Sequence, residues 1–269
     1  MQHPAYGELR PVTSYASVLL ADNPNPMTLD GTNTWVLRDP DSRECVVIDP
    51  GPDDAVHLSR VAGHGPVSLV LLTHHHEDHT AGVADFVQRT GAPVRALDPT
   101  LCHDAEPITD GEPIDAAGLQ LRVLATAGHT ADSVCFVAEH DEPAVFTGDS
   151  ILGRGTTVVA HPDGHLGSYL DSLRKIASLP PGVRALPGHG PELDDARAAA
   201  EHYLDHRRQR LAQVRQALGD LGPGATPRQV VELVYADVDP AVWPAADLTV
   251  QAQLTYLEDR EDLRRGDIG

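Results

Sequence analysis

The chain has 269 residues, enough for one large domain and a small one, and 41% of them are apolar, which fits a soluble globular protein. Its formal net charge of −20, from 40 acidic against 20 basic side chains, argues against a generally basic nucleic-acid-binding surface. No apolar run approaches the roughly 18 residues of a membrane span. Met1 to Val12 lacks the pattern of a secretory signal, and Cys45, Cys102 and Cys135 read as free thiols of a cytoplasmic protein.

In chain order, Val12 to Leu20 predicts a first strand, and the Asn-, Pro- and Gly-rich stretch Ala21 to Asn33 a loop. Thr34 to Leu37 and Glu44 to Ile48 predict a hairpin closed by Asp49-Pro50-Gly51, and Asp53 to Val61 a helix. Val67 to Leu72 is a short apolar run, read as a buried strand, and Ala81 to Arg89 reads as a helix. Val94 to Leu97 and Leu119 to Ala125 are strand-like, with a loop-rich connection from Asp98 to Gly118. Ser133 to Ala138 and Ala144 to Phe146 read as a hairpin, and Leu166 to Leu179 as a helix.

A long helix is expected from Asp195 to Leu218, with Leu204, Leu211, Val214 and Leu218 as its apolar stripe and Arg207, Arg208, Arg210 and Arg215 beside it. Thr226-Pro227 starts another helix, with an N-cap residue before Pro at the first position. Ala245 to Glu258 predicts a last one. The charge is uneven: residues 1–195 hold 11 basic and 28 acidic side chains, residues 196–269 hold 9 and 12. The C-terminal part is therefore the better place for a local positive face.

The chemistry concentrates after the run ending at Leu72, where Thr73-His74-His75-His76-Glu77-Asp78-His79 reads H-x-H-x-D-H. On an extended backbone His74 and His76 face one side and can grip one metal, while His75 points away. Asp78 and His79 follow as the chain turns into a helix and aim at a second point. Three further candidates sit just past short apolar strands: His129 in Gly-His-Thr, Asp149 in Thr-Gly-Asp and His189 in Pro-Gly-His-Gly. Imidazole and carboxylate ligands fit zinc, with iron and manganese open. A merely polar, His-rich loop would not require these three partners.

The set His74, His76, Asp78, His79, His129, Asp149 and His189 resembles the metallo-β-lactamase superfamily. The resemblance implies an α/β fold, an αββα sandwich of two facing sheets. It implies that His74, His76 and His129 hold one metal, that Asp78, His79 and His189 hold the other, and that Asp149 bridges them. Asn25 to Thr34, Phe146 to Gly153 and His206-Arg207-Arg208 resemble the β-lactamase-like protein 2 branch, whose members include a single-strand-specific endoribonuclease. That branch carries a winged-helix-like C-terminal appendage. The expected division is a catalytic domain over residues 1–205 and a helical domain over 206–269.

Two divalent metals would hold a bridging hydroxide at neutral pH, so no Ser, Cys or Lys nucleophile is required; Asp78 and Asp149 are the catalytic carboxylates of this reading. Arg154, Asn33 and Tyr169 are candidate substrate-binding residues, against simple surface, turn and packing roles. Asn33, Thr73, Thr130 and Ser133 could orient metal ligands. His3, His57, His64, His103, His140 and His202 read as surface residues. Two substrates compete: single-stranded RNA, which the resemblance implies and the charge opposes, and a small acyl thioester or ester, as in a hydroxyacylglutathione-hydrolase-like enzyme. An iron persulfide dioxygenase using His74, His129 and Asp149 and a non-enzymatic nucleic-acid-binding regulator are further alternatives. No membrane and no obligate protein partner is expected.

Overall fold

The computed structural model describes residues 6–237 and 239–266, with side chains left undescribed at 241 and 261–266. The first half runs β1 (Arg10–Pro11), β2 (Ala16–Leu20), β3 (Asn33–Leu37), β4 (Cys45–Ile48), α1 (Ala55–Ala62), β5 (Val67–Leu71), α2 (Glu77–Thr80), α3 (Val83–Thr90) and β6 (Val94–Arg95). The second half runs β7 (Pro113–Ala116), β8 (Leu119–Ala125), β9 (Val134–Ala138), β10 (Ala144–Gly148), α4 (Leu166–Ala177) and β11 (Arg184–Pro187). Three long or capped helices close the chain: α5 (Ala196–Leu221), α6 (Pro227–Val234) and α7 (Trp243–Gly266).

The strands form two mixed sheets, ordered β1-β2-β3-β4-β5-β6 and β11-β10-β9-β8-β7. Their apolar runs are continuous because both faces of each sheet are covered. In β4, Val46 and Ile48 enter the core between the sheets, while Cys45 and Val47 face the outer core under α1 and α3. In β9, Phe136 and Ala138 point between the sheets, and Cys135 and Val137 face α4 and α5. Period-two alternation thus feeds two cores at once and gives the αββα order.

The connection expected as loop from Asp98 to Gly118 contains β7, which pairs antiparallel with β8. Pro113 and Asp115 are exposed there, so β7 lacks the apolar density that marks a strand, and its pairing with the edge of β8 decides it. The predicted first strand breaks at Val12, where Thr13 Oγ1 accepts from Ala16 N at 2.9 Å and turns the chain. At the other end, Thr226 caps α6 reciprocally with Gln229, the predicted start. The expected boundary after residue 205 lies inside α5, which packs on α4 before it and on α6 and α7 after it. After β11 the described residues contain helices and no strand.

Candidate metal centre

Seven side chains converge at one edge of the sandwich, each from just beyond a strand. His74 and His76 follow β5, Asp78 and His79 lie in α2, and His129, Asp149 and His189 follow β8, β10 and β11. Two glycines make this convergence possible. Gly128 has φ +145°, and a Cβ there would come within 2.3 Å of the Tyr169 backbone. A Cβ on Gly188 would lie 2.7 Å from Asp149 Oδ1 and 2.8 Å from the His79 ring.

The donor atoms form two groups. His76 Nδ1 lies 3.1 Å from both His74 Nε2 and His129 Nε2. His79 Nε2 and His189 Nε2 are 3.3 Å apart, with Asp78 Oδ2 at 3.3 and 3.1 Å from them. Asp149 sits between: Oδ1 is 3.5 Å from His79 Nε2, and Oδ2 is 3.6 Å from His129 Nε2 and 3.4 Å from His189 Nε2. His74, His79 and Asp149 themselves bring donors within 4.8 Å of one another, as do His74, His76 and His129, and Asp78, His79 and His189.

The outer nitrogens decide what the inner ones can do. His79 Nδ1 donates to Asp49 Oδ2 (2.8 Å), His129 Nδ1 to Val158 O (2.7 Å) and His189 Nδ1 to Gly31 O (3.1 Å). Thr73 Oγ1 gives its proton to Asp49 Oδ2 (2.7 Å), so it accepts from His74 Nδ1 (3.0 Å). In the neutral imidazoles, Nε2 of all four therefore carries a lone pair toward the centre. Lone pairs and two carboxylates facing one another at these distances repel. Buried Asp149 Oδ1 has no hydrogen-bond partner among the described residues. The donor set fits divalent cations, with outer hydrogen bonds of the kind that orient metal-bound imidazoles.

Proton affinities split the two groups. Burial, then neighbouring imidazoles, pushes His74 well below its usual range and His76 down to about 4; burial also lowers His129. Burial opposes charge on His79 and His189 too, but the carboxylates outweigh it: Asp78 and Asp49 raise His79 well above its usual range, and Asp149 and Asp78 raise His189 to about 9. Burial would raise Asp78 and Asp149, yet the adjoining imidazoles hold both well below the carboxylate range.

Asp49 is a neighbour of the donor cluster that sequence reasoning misses. It reads as the end of a strand in Asp-Pro-Gly, but it is buried at φ +52° and links Thr73, His74 and His79. Its only sequence signal is a carboxylate closing the strand next to the one that carries His74. Of the four expected orienting residues, Thr73 touches His74. Asn33 donates to Pro187 O (3.0 Å) and Gly190 O (2.8 Å) and so ties down the His189 loop. Thr130 and Ser133 hydrogen-bond each other and hold a turn.

The remaining expected residues are placed as follows. Tyr169 is fully buried, donates to Ser150 O (2.7 Å) and packs α4 onto the core. Arg154, half exposed, is ion-paired with Asp30 and so ties the two loops together. His57, expected at the surface, is buried with Nε2 2.9 Å from Thr34 Oγ1. On α5, Arg207 is also buried, donating to Thr157 O over the Tyr169 ring, and Arg208 pairs with Asp205 (2.6 Å).

Two facing mixed sheets with imidazole and carboxylate donors gathered at their edge define an α/β sandwich with a candidate metal centre. Residues 27–189 match the metallo-beta-lactamase superfamily and residues 226–268 the beta-lactamase associated winged helix domain. The chain belongs to the metallo-β-lactamase superfamily. It is 33% identical to the beta-lactamase-like protein 2 homolog of Drosophila melanogaster, over 94% of this chain and 91% of that one. A beta-lactamase domain protein from Burkholderia ambifaria superposes with a TM-score of 0.81 at 21% identity, covering 97% of this chain and 90% of that one. A protein solved in a di-iron-bound form aligns with a TM-score of 0.53 at 26% identity, over 68% of this chain and 95% of that one. No helix among the described residues is long and apolar enough to cross a membrane.

Proposed function

We propose that this superfamily hydrolase is dinuclear and opens a small acyl ester or thioester. His74, His76 and His129 would hold one cation, Asp78, His79 and His189 the other, and Asp149 both. Zinc suits these donors best, and the di-iron neighbour keeps iron as the alternative. Two bound cations would supply a nucleophile at neutral pH by acidifying water and would polarise the scissile carbonyl. The chain's part is geometric: Asp49, Val158 O and Gly31 O hold His79, His129 and His189 in one tautomer, and Asn33 fixes the His189 loop. All seven donors lie within residues 1–205, the expected catalytic domain.

The observation that carries the choice of substrate is the state of the arginine helix. An RNA reading needs free positive charge in a chain of net −20. Arg208 is instead paired with Asp205, Arg207 is buried and Arg210 is half-buried against Tyr235, so the helix offers a small recess and no open row of charges for a polynucleotide. A carbonyl substrate needs no such face. Exposed Arg215 is the feature that keeps single-stranded RNA as a second reading.

The test is a panel of a small acyl thioester, a p-nitrophenyl ester and a single-stranded oligoribonucleotide, with zinc, iron and manganese measured on the same sample. Turnover of the acyl compounds is expected; cleavage of RNA alone would reverse the choice. For the second reading, Arg208→Gln with Arg215→Gln should slow RNA cleavage and flatten its salt dependence by about one unit for each phosphate no longer neutralised. Ester hydrolysis should be unchanged by the same pair.

A further inference from the structure

A cavity of about 240 Å³ lies where α5 and α7 meet the loop over residues 156–158 and the loop carrying Met27. Its walls mix two kinds of chemistry. Met27, Val158, Val242 and Ala246 are apolar, while His206, Arg207 and Arg210 bring nitrogen donors, and no acidic side chain borders it. Among the described residues no carboxylate pairs with Arg207 or Arg210. Arg210 stacks on Tyr235 and donates to Val234 O (2.9 Å), and Arg207 donates to Thr157 O. His206 Nδ1 and Arg207 Nε are both buried and have no hydrogen-bond partner among the described residues. Two uncompensated guanidinium groups in one cavity are conspicuous in a chain with twice as many acids as bases.

The cavity adjoins the donor cluster. Val158 forms part of its wall, and the carbonyl of the same residue accepts from His129 Nδ1 at 2.7 Å. Val158 and the His129 ring thus lie between the cavity and the centre. The volume is below the roughly 300 Å³ at which pockets enclose whole drug-sized ligands. It suits a small head group with a short stem and is too small for a whole substrate.

We infer that this cavity is a subsite for the anionic end of the substrate, a phosphate or carboxylate on a short apolar stem, held by Arg210 and Arg207 with His206 beside them. The inference rests on the hydrolase reading for what the other end of the molecule undergoes. The local field has the sign an anion needs: after burial, Arg207 and Arg210 press the His206 imidazole down to about 4, so it stays a neutral hydrogen-bonding group at pH 7.

The test measures binding, by titration calorimetry on the metal-loaded protein, of hexyl phosphate, hexanoate and hexanol. Both anions should bind, and the tighter of the two identifies the head group. Arg210→Met should weaken both about tenfold, the size of one charge-assisted hydrogen bond, and Arg210→Lys should recover part of the loss. Because Arg210 also anchors α6, His206→Glu is the second probe: it breaks no hydrogen bond through Nδ1, and its carboxylate should repel both anions by a similar factor. His76→Ala, which disturbs the metals, should leave this binding in place. Anion binding that disappears in His76→Ala but survives Arg210→Met and His206→Glu would put the anion on the metals and overturn the inference. So would hexanol binding as tightly as the anions, or no binding of either anion. Failure of the hydrolase reading is seen separately, as a panel with no turnover beside an intact binding pattern.

Discussion

The two halves of the donor cluster are equally enclosed and behave oppositely toward protons. His74, His76 and His129 are imidazoles facing imidazoles, and burial strips them of charge. His79 and His189 face Asp78 and Asp149, and the carboxylates overcome the same burial. Burial alone therefore does not set proton affinity here; the partner decides whether desolvation wins. At neutral pH the first half stands ready to accept a cation without releasing protons. The second half must release the protons that its carboxylates have gathered.

Asp149 belongs to both halves, so its removal should have the largest effect. Asp149→Ala is expected to lose at least one metal equivalent and most activity, because two close cations would be poorly neutralised. Metal analysis beside turnover checks it, and a variant with both metals and normal rate would end the assignment. Next in size is the contrast between the halves. Asp78→Ala should weaken metal binding and also lower the His189 pKa from about 9 toward its usual range, so fewer protons leave on metal binding at pH 7. His76→Ala should weaken metal binding with little change in proton release. Calorimetry in buffers of different ionisation enthalpy counts those protons; equal counts for the two variants would erase the distinction.

A smaller effect is expected one layer out. Asp49 orients His79 directly and His74 through Thr73, so Asp49→Asn should reduce metal affinity about 10- to 100-fold without removing a ligand. Metal competition titration measures it. The loss should fall on the half containing His79 more than on the other.

How much of this is legible in the sequence follows from the range of the forces involved. The seven donors can be found because each lies at a fixed place beyond an apolar strand, and strand periodicity and His-x-His spacing are local. Asp49 is hidden because its partners, Thr73 and His79, are 24 and 30 residues away and only the parallel pairing of β4 with β5 brings them together. Arg207 and Tyr169 mislead for a related reason. Both carry polar ends that suit an open cleft, but helices α4 and α5 turn them toward each other, Tyr169 into the core and Arg207 to the wall of a small recess beside it. Helical spacing locates the stripe; it cannot tell that a guanidinium is enclosed with it. β7 escapes because edge pairing, not composition, makes it a strand.

The smallest expected effect concerns what supports the carboxylate-bearing half from behind. His57 lies under the Asp49-Pro50-Gly51 turn, close enough that a Cβ on Gly51 would come within 3.3 Å of its Nε2. Burial lowers its pKa to about 4, against the pull of Asp54 and the Pro50 carbonyl. An unfolded histidine titrates near 6.5. Between those values the unfolded chain binds a proton that the folded one refuses, so stability falls as pH drops from 6.5 to 4 and levels off below. The largest loss from this one group is ~3 kcal/mol, since each pH unit between the two values is worth about 1.4 kcal/mol. His57→Gln retains a partner for Thr34 Oγ1 and removes the titration. Urea unfolding of the variant across pH 7 to 4 should show a stability slope shallower by up to one proton, with metal content unchanged. A slope identical to that of the parent would mean that His57 takes up its proton in the folded state, and that the turn under Asp49 opens more readily than its packing implies.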